Sequence, residues 1–401
     1  MDMTRRSIVA SLGAGAVTLA LPAVLRAQHA PVKIGLIHPV SGAVAFSGQQ
    51  CRLGATMAVE DLNSAGGIKA LGGAQIEALL GDAQSRPEIG ASLVEQMAEQ
   101  GVAGFTGAYS TAVSLAATQA AAKYDIPFSL DGPTGQLLTE RGLRNVFRLF
   151  PSNASLVKDA IEALNELNTN AGSPAKTAIL IHEDGEFGTN TANLVSEQLP
   201  THNITVVDRI AHATPTRDFT NVALRVKSAA PDLIIITSYA NEYVLLARSL
   251  VQQRVNAKAI FSISGAGFNL KFIQEQPTIA AGIIDFNNWY NPIDPRSREF
   301  RQRVETSGNL FTWEVLYGYF AVKVLADAIE RAGSTDKERV IDAFNVSQYS
   351  DHFLPFGPTN FVDGQNQGAR MLCLQAQNGD IRVVGPKEYQ EIEPIFPRET
   401  L

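Results

Sequence analysis

The sequence predicts an α/β protein of two lobes, each a doubly wound parallel sheet covered by helices. Three observations point there. Short apolar runs alternate with amphipathic stretches of helix length, the pattern of parallel strands joined through helices. The alternation occurs twice, in two similar series. And 401 residues, 45% of them hydrophobic, suffice for two domains of ordinary size with a core apiece.

The elements follow in chain order. Arg5 and Arg6 precede an apolar run over 8–25, broken only by small residues, Thr18 and Pro22, and ending at Ala27. A basic start, an apolar middle and a small-residue end make an export signal peptide, expected to occupy 1–27. Thr4-Arg5-Arg6-Ser7-Ile8 also fits a twin-arginine leader loosely, and both export routes stay open. No later segment approaches about 18 uninterrupted apolar residues, so the expected mature chain is soluble and inserts in no membrane.

Strand candidates of the first series lie at 32–39, 75–81, 101–106, 127–130 and 146–150. Those of the second lie at 177–182, 205–210, 233–237 and 259–262, with 282–286 leading into another helical region. Ser47 and Gln50 form a capping-box pattern ahead of a helix whose Leu53, Met57, Ala58 and Leu62 share a face, and Gly66-Gly67 ends it. A second long helix is read from Val315, Leu316, Tyr319, Phe320, Val324 and Ala328, with Gly333 beyond its last turn. Crossings between lobes are expected at the Gly-, Pro- and Asn-bearing loops around 151–153, 287–295 and 356–364. Lobe 1 is then 30–150 plus 287–348, and lobe 2 is 151–286 plus 349–401.

A net charge of −7 without a basic run argues against nucleic acid and anionic membrane surfaces as partners. Cys51 and Cys373 are the only cysteines, so disulfides cannot be the framework. Two buried thiols and a single bridge both fit. There is no Gly-x-Ser-x-Gly elbow, no phosphate loop and no His-Glu-x-x-His. His38, His182, His202, His212 and His352 are scattered without metal spacing. No catalytic residue, metal or cofactor is expected, and an exported hydrolase lacks the activated nucleophile it would need.

Ligands of open α/β sheets bind beyond the C-terminal ends of the strands. Four loops there carry polar or aromatic residues: 41–47 with Ser47, 107–111 with Tyr109, Ser110 and Thr111, 131–134 with Asp131, Gly132 and Thr134, and 238–241 with Tyr239. Ser110-Thr111 precedes a helical run over 112–123, so hydroxyls and free N–H groups converge there with the positive end of the helix dipole. That suits a carboxylate. Ser110 as a plain N-cap explains its presence equally, and the two roles are compatible.

Ile34-Gly35-Leu36, Pro39-Val40-Ser41-Gly42, Ala58-Val59-Glu60-Asp61-Leu62-Asn63, Gly66-Gly67-Ile68, Tyr124-Asp125-Ile126-Pro127-Phe128 and His182-Glu183-Asp184-Gly185-Glu186-Phe187-Gly188 carry a resemblance over essentially the whole mature chain. The sequence resembles the leucine/isoleucine/valine-binding branch of the type I periplasmic solute-binding proteins. The resemblance implies two lobes joined by three hinge crossings, closing in the periplasm around a small carboxylate-bearing solute. A branched-chain or other hydrophobic amino acid is the family's usual cargo. It also implies a monomer that docks on an ABC permease and ATPase complex; a ligand-sensing domain of the same fold is the alternative.

By the same resemblance, Ser110 and Thr134 match positions that hold the solute's α-carboxylate, and Gly132 matches a backbone contact. Phe187 and Tyr239 match second-lobe residues lining the cleft, and Ser47 stands where relatives often carry tyrosine. One departure matters. Relatives that bind amino acids place an acid after the strand read at 259–262, where it grips the ammonium, and this chain has Ser264 and Gly265. Either another acid such as Asp131 or Glu183 substitutes, or the solute is an aromatic or aliphatic carboxylate, amide or urea without that ammonium.

Overall fold

The computed structural model describes residues 30–398, and the expected leader lies outside them. Its first five strands are β1 (Val32–His38), β2 (Ile76–Asp82), β3 (Gly104–Gly107), β4 (Phe128–Leu130) and β5 (Val146–Arg148). They form one parallel sheet in the order β2-β1-β3-β4-β5. The next five, β6 (Thr177–Glu183), β7 (Thr205–His212), β8 (Leu233–Thr237), β9 (Ala259–Ile263) and β10 (Ile284–Asn287), repeat that order as β7-β6-β8-β9-β10. Central β8 reads Leu-Ile-Ile-Ile-Thr and is buried throughout, because helices cover both faces of its sheet. At the edge, β7 is largely exposed, and only Ile210 and His212 are fully buried.

Two terminal hairpins, absent from the sequence reading, complete the sheets. β11 (Phe361–Val362) and β12 (Gln365–Asn366) extend the first sheet beyond β5, with β12 parallel to it. β13 (Leu372–Gln377) and β14 (Asp380–Gly385) add antiparallel strands beyond β10. The chain therefore passes between sheets three times: after Arg148, after Asn287, and between Asn366 and Leu372. The third crossing lies downstream of the loop expected at 356–364, because those residues supply strands to the first sheet. Residues 361–366 thus belong to lobe 1, although the expected division gave 349–401 to lobe 2.

The first helix, Ala45–Ser64, also corrects the reading. Its N-cap is Val44 and carries no side-chain cap, so Ser47 lies inside the helix and its hydroxyl donates instead to Glu314 Oε1 at 2.9 Å. That bond reaches helix Trp313–Ala332, which lies unusually close. A Cβ on Gly54 would strike the Val315 carbonyl, and one on Gly318 would strike that of Cys51, so backbone meets backbone along the contact.

At the second crossing Arg301 pairs with Asp380 of the second sheet at 3.1 Å and with Glu305 at 2.9 Å, and its guanidinium lies over the rings of Tyr290 and Phe311. Cys51 and Cys373 are both buried and unbridged, one in each lobe. Among the described residues no helix is long and apolar enough to cross a membrane.

Candidate functional site

Loops leaving the C-terminal ends of five strands meet in one cavity between the lobes. From lobe 1 come Tyr109 and Thr111 after β3, Gly132, Pro133 and Thr134 after β4, and Trp313 at the head of its helix. From lobe 2 come Phe187 after β6, Tyr239 after β8, and Ser264 and Ala266 after β9. Aromatic rings form most of the wall: Tyr109 faces Tyr239 across the lobes at 6.2 Å and stacks on Trp313 at 6.1 Å, while Phe187 meets Tyr239 at 5.6 Å. The cavity measures about 20 Å³, room for about one water molecule. A solute of amino-acid size enters only when the lobes part.

Contacts across the cleft hold this closed arrangement. Leu137 N–H points at Glu186 Oε1 (3.5 Å), and Asn241 Nδ2 donates to the Ala43 carbonyl at 3.3 Å. Gly135 lies so near Glu186 and Thr111 that a Cβ there would overlap both. Arg148, wholly buried, donates to the carbonyls of Thr134 (2.9 Å) and Gly135 (2.5 Å) and to Gln365 of β12 (2.6 Å), fixing the loop that bears Thr134. Burial pushes its guanidinium down to about 9.

Tyr109 and Ser264 both adopt left-handed backbone conformations, with φ of 61° and 53°. A tyrosine rarely does so, and such geometry persists where its surroundings fix it. Here Asp131 fixes it, its Oδ1 accepting from Tyr109 N–H at 3.0 Å. Asp131 Oδ2 lies 2.8 Å from His38 Nε2, and Arg52 donates to His38 Nδ1 at 3.1 Å. The imidazole therefore accepts at Nδ1 and donates from Nε2. Burial lowers its pKa, the bond to Asp131 opposing that, consistent with a neutral ring.

Of the nine residues singled out in the sequence, six line the cavity: Tyr109, Thr111, Gly132, Thr134, Phe187 and Tyr239. Three do not. Ser110 is the N-cap of helix Thr111–Ala122, accepting from Val113 N–H at 3.4 Å. Asp131 is spent on Tyr109 and His38, and Ser47 on Glu314. Glu183, the other acid considered for an ammonium, accepts from the N–H groups of Gly185 and Gly188 at 2.6 Å each.

Two lining donors are buried and without partners among the described residues, the Thr134 hydroxyl and the Trp313 indole N–H. Trp313 escaped the sequence reading, which began its helical stripe at Val315. The signal was there in Thr312-Trp313-Glu314, three hydrogen-bonding side chains at a helix start, but some 180 residues separate it in the chain from the other lobe-1 wall residues. No cluster of three or more potential metal ligands occurs among the described residues.

Two lobes of repeated topology, closing strand end against strand end on one small cavity, define a two-lobed solute-binding protein of the type I periplasmic binding protein fold. The chain matches the model of the periplasmic binding protein family over residues 31–380 and belongs to that family, one of binding proteins and not of enzymes. It is 26% identical to the Leu/Ile/Val-binding protein homolog 8 of Brucella suis biovar 1 (strain 1330), over 96% of this chain and 97% of that protein. Among solved structures it is similar to the branched-chain amino acid transporter substrate-binding protein LivJ of Streptococcus pneumoniae in complex with isoleucine, at TM-score 0.77 and 20% identity, covering 92% of this chain and 100% of that one. It is similar too to an ABC transporter solute-binding protein of R. palustris in complex with benzoate, at TM-score 0.76 and 17% identity, covering 88% and 96%.

Proposed function

We propose that the protein is the extracytoplasmic receptor of an ABC importer and captures a small carboxylate-bearing solute of the hydrophobic amino-acid class. The observation that carries this reading is the first-lobe wall. The start of helix Thr111–Ala122, the backbone at Gly132 and the unpartnered Thr134 hydroxyl converge on the cavity, opposite a lid of Phe187 and Tyr239. Helix N-terminal N–H groups and a hydroxyl donor bind a carboxylate, and aromatic rings bury an apolar body. The receptor works in the periplasm as a monomer, reached by either export route, and hands its cargo to a permease with its ATPase.

A second reading, an aromatic or aliphatic carboxylate, amide or urea without an α-ammonium, is favoured by Ser264 standing after β9 in place of an acid. The likeness to both an isoleucine-bound and a benzoate-bound protein is compatible with either. A thermal-shift screen tests the proposal, because a solute that binds only the folded state raises its melting temperature by mass action. Leucine, isoleucine, phenylalanine, benzoate and urea form the first panel. A shift with at least one carboxylate is expected, and silence across the panel and a broader set of small carboxylates would refute it.

A further inference from the structure

Near the cavity, Glu186 and Glu314 each keep one buried carboxylate oxygen without a partner among the described residues, and Glu314 is the more enclosed of the two. Glu314 is 1% exposed, its Oε1 accepts from Ser47, and its Oε2 has no partner among the described residues. The Trp313 indole N–H is likewise buried and unpartnered, while the Thr312 hydroxyl lies beside the Glu314 carboxyl. Trp313 lines the cavity. So does Tyr109, which stacks on Trp313 and whose phenol stands beside Ser47 within the field of Glu314. Buried polar atoms are nearly always satisfied, so the free Trp313 N–H and the free Glu314 oxygen, side by side where Trp313 lines the cavity, mark a place where a bound group completes the hydrogen bonding. Burial pushes the Glu314 carboxyl up to about 7, with Ser47 and Thr312 opposing and Asp131 adding to the rise. A cation or N–H donor brought against it would reverse that effect.

We propose that Glu314 is a specificity-determining residue of the cleft, accepting from an ammonium or N–H group of the solute, so that its nitrogen-bearing end lies against the first lobe beside Ser47, Tyr109 and Trp313. The acid that β9 lacks is thus supplied from the opposite lobe. This rests on the reading of the cleft as a carboxylate receptor and narrows its cargo to solutes that carry a nitrogen donor as well.

The test uses the full mature chain and three probe pairs that differ only in the nitrogen: leucine and 4-methylpentanoate, 4-aminobutanoate and butanoate, 4-aminobenzoate and benzoate. Calorimetric titration is expected to show, for at least one pair, the nitrogen-bearing member binding about 10-fold or more tightly. Glu314→Gln should shrink that preference to about 3-fold or less while leaving the partner without nitrogen unchanged. In the wild type at pH 7, titrations in two buffers of different ionisation enthalpy should show proton release on binding of a cationic probe and none with its partner. That readout needs no variant and decides the matter if Glu314→Gln fails to fold. Equal affinity within every pair, or a preference that survives Glu314→Gln without proton release, would overturn the inference and leave the carboxylate receptor standing. Binding by none of the six, nor by any of the broader set of small carboxylates, would instead overturn the reading of the cleft, and this inference with it.

Discussion

The two lobes share a strand order and differ in what they bring to the cleft. The first contributes hydrogen-bonding groups: the hydroxyls of Thr111 and Thr134, the indole of Trp313 and, behind it, Glu314. The second contributes Phe187, Tyr239, Ala266 and Ser264, without a charged side chain on the wall. Each lobe also buries an acid whose carboxyl burial pushes up to about 7. Asp285, in the second lobe, accepts from Ser262 at 2.6 Å, from Asn287 at 2.8 Å and from Gly265 N–H at 3.0 Å, whereas Glu314 accepts from Ser47 on one oxygen and keeps the other free. A saturated buried acid is scaffolding, and a half-saturated one is poised for a partner. Duplicated topology has thus been divided into a lobe that reads the solute and a lobe that covers it.

The sharpest way to break this division is to stop the lobes from meeting. Gly135→Val places a side chain into Glu186 across the cleft and into Thr111 of its own lobe, so solute affinity should fall about 1,000-fold, roughly 4 kcal/mol, with some loss of first-lobe stability as well. Small-angle scattering with and without solute would check it, the variant losing the compaction that the wild type shows.

Next comes the saturated acid. A carboxyl whose folded pKa is about 7, against an ordinary value of 3.8, holds in the native state a proton that the unfolded chain releases. Its contribution to stability is therefore lost progressively as pH rises from about 4 to about 7, by something on the order of 4 kcal/mol. Asp285→Asn should flatten that slope in denaturant unfolding measured at pH 5 and pH 8, and leave solute selectivity alone.

The covering lobe supplies the third test. Tyr239→Ala removes a ring that meets both Tyr109 and Phe187, and should cost about 2 kcal/mol of affinity, seen mainly as faster release in stopped-flow measurements. The smallest effect belongs to Ser110→Ala. Because Ser110 caps its helix and does not line the cavity, the variant should lose about 1 kcal/mol of stability with a lesser change in affinity.

Most of the fold was legible because parallel strands buried on both faces are runs of apolar residues, as at Leu233–Thr237, and runs survive any register. The two terminal hairpins were not, since Phe361–Val362 and Gln365–Asn366 are too short to show a period. Cavity residues at strand ends could be named from the chain, Tyr109 and Tyr239 among them, because the topology dictates where loops converge. What sequence could not tell was which polar side chains the scaffold had already used. Ser47, placed three residues before a glutamine, reads as a cap, yet the helix begins two residues earlier and the hydroxyl turns to a glutamate 267 positions away. Asp131 reads as a ligand contact and instead sets the backbone of Tyr109.

The seam where Gly54 and Gly318 let two helices touch main chain to main chain has an evolutionary corollary. Ser47 and Glu314 lie at the cleft ends of those two helices, so the spacing of the seam fixes how far apart they stand. Exchanging either glycine for alanine, about two turns beyond Ser47 or one beyond Glu314, would wedge the pair apart and retune selectivity with no residue of the cavity altered. Lineages of such receptors could therefore drift in cargo through packing alone, and comparing wall residues would overlook the cause.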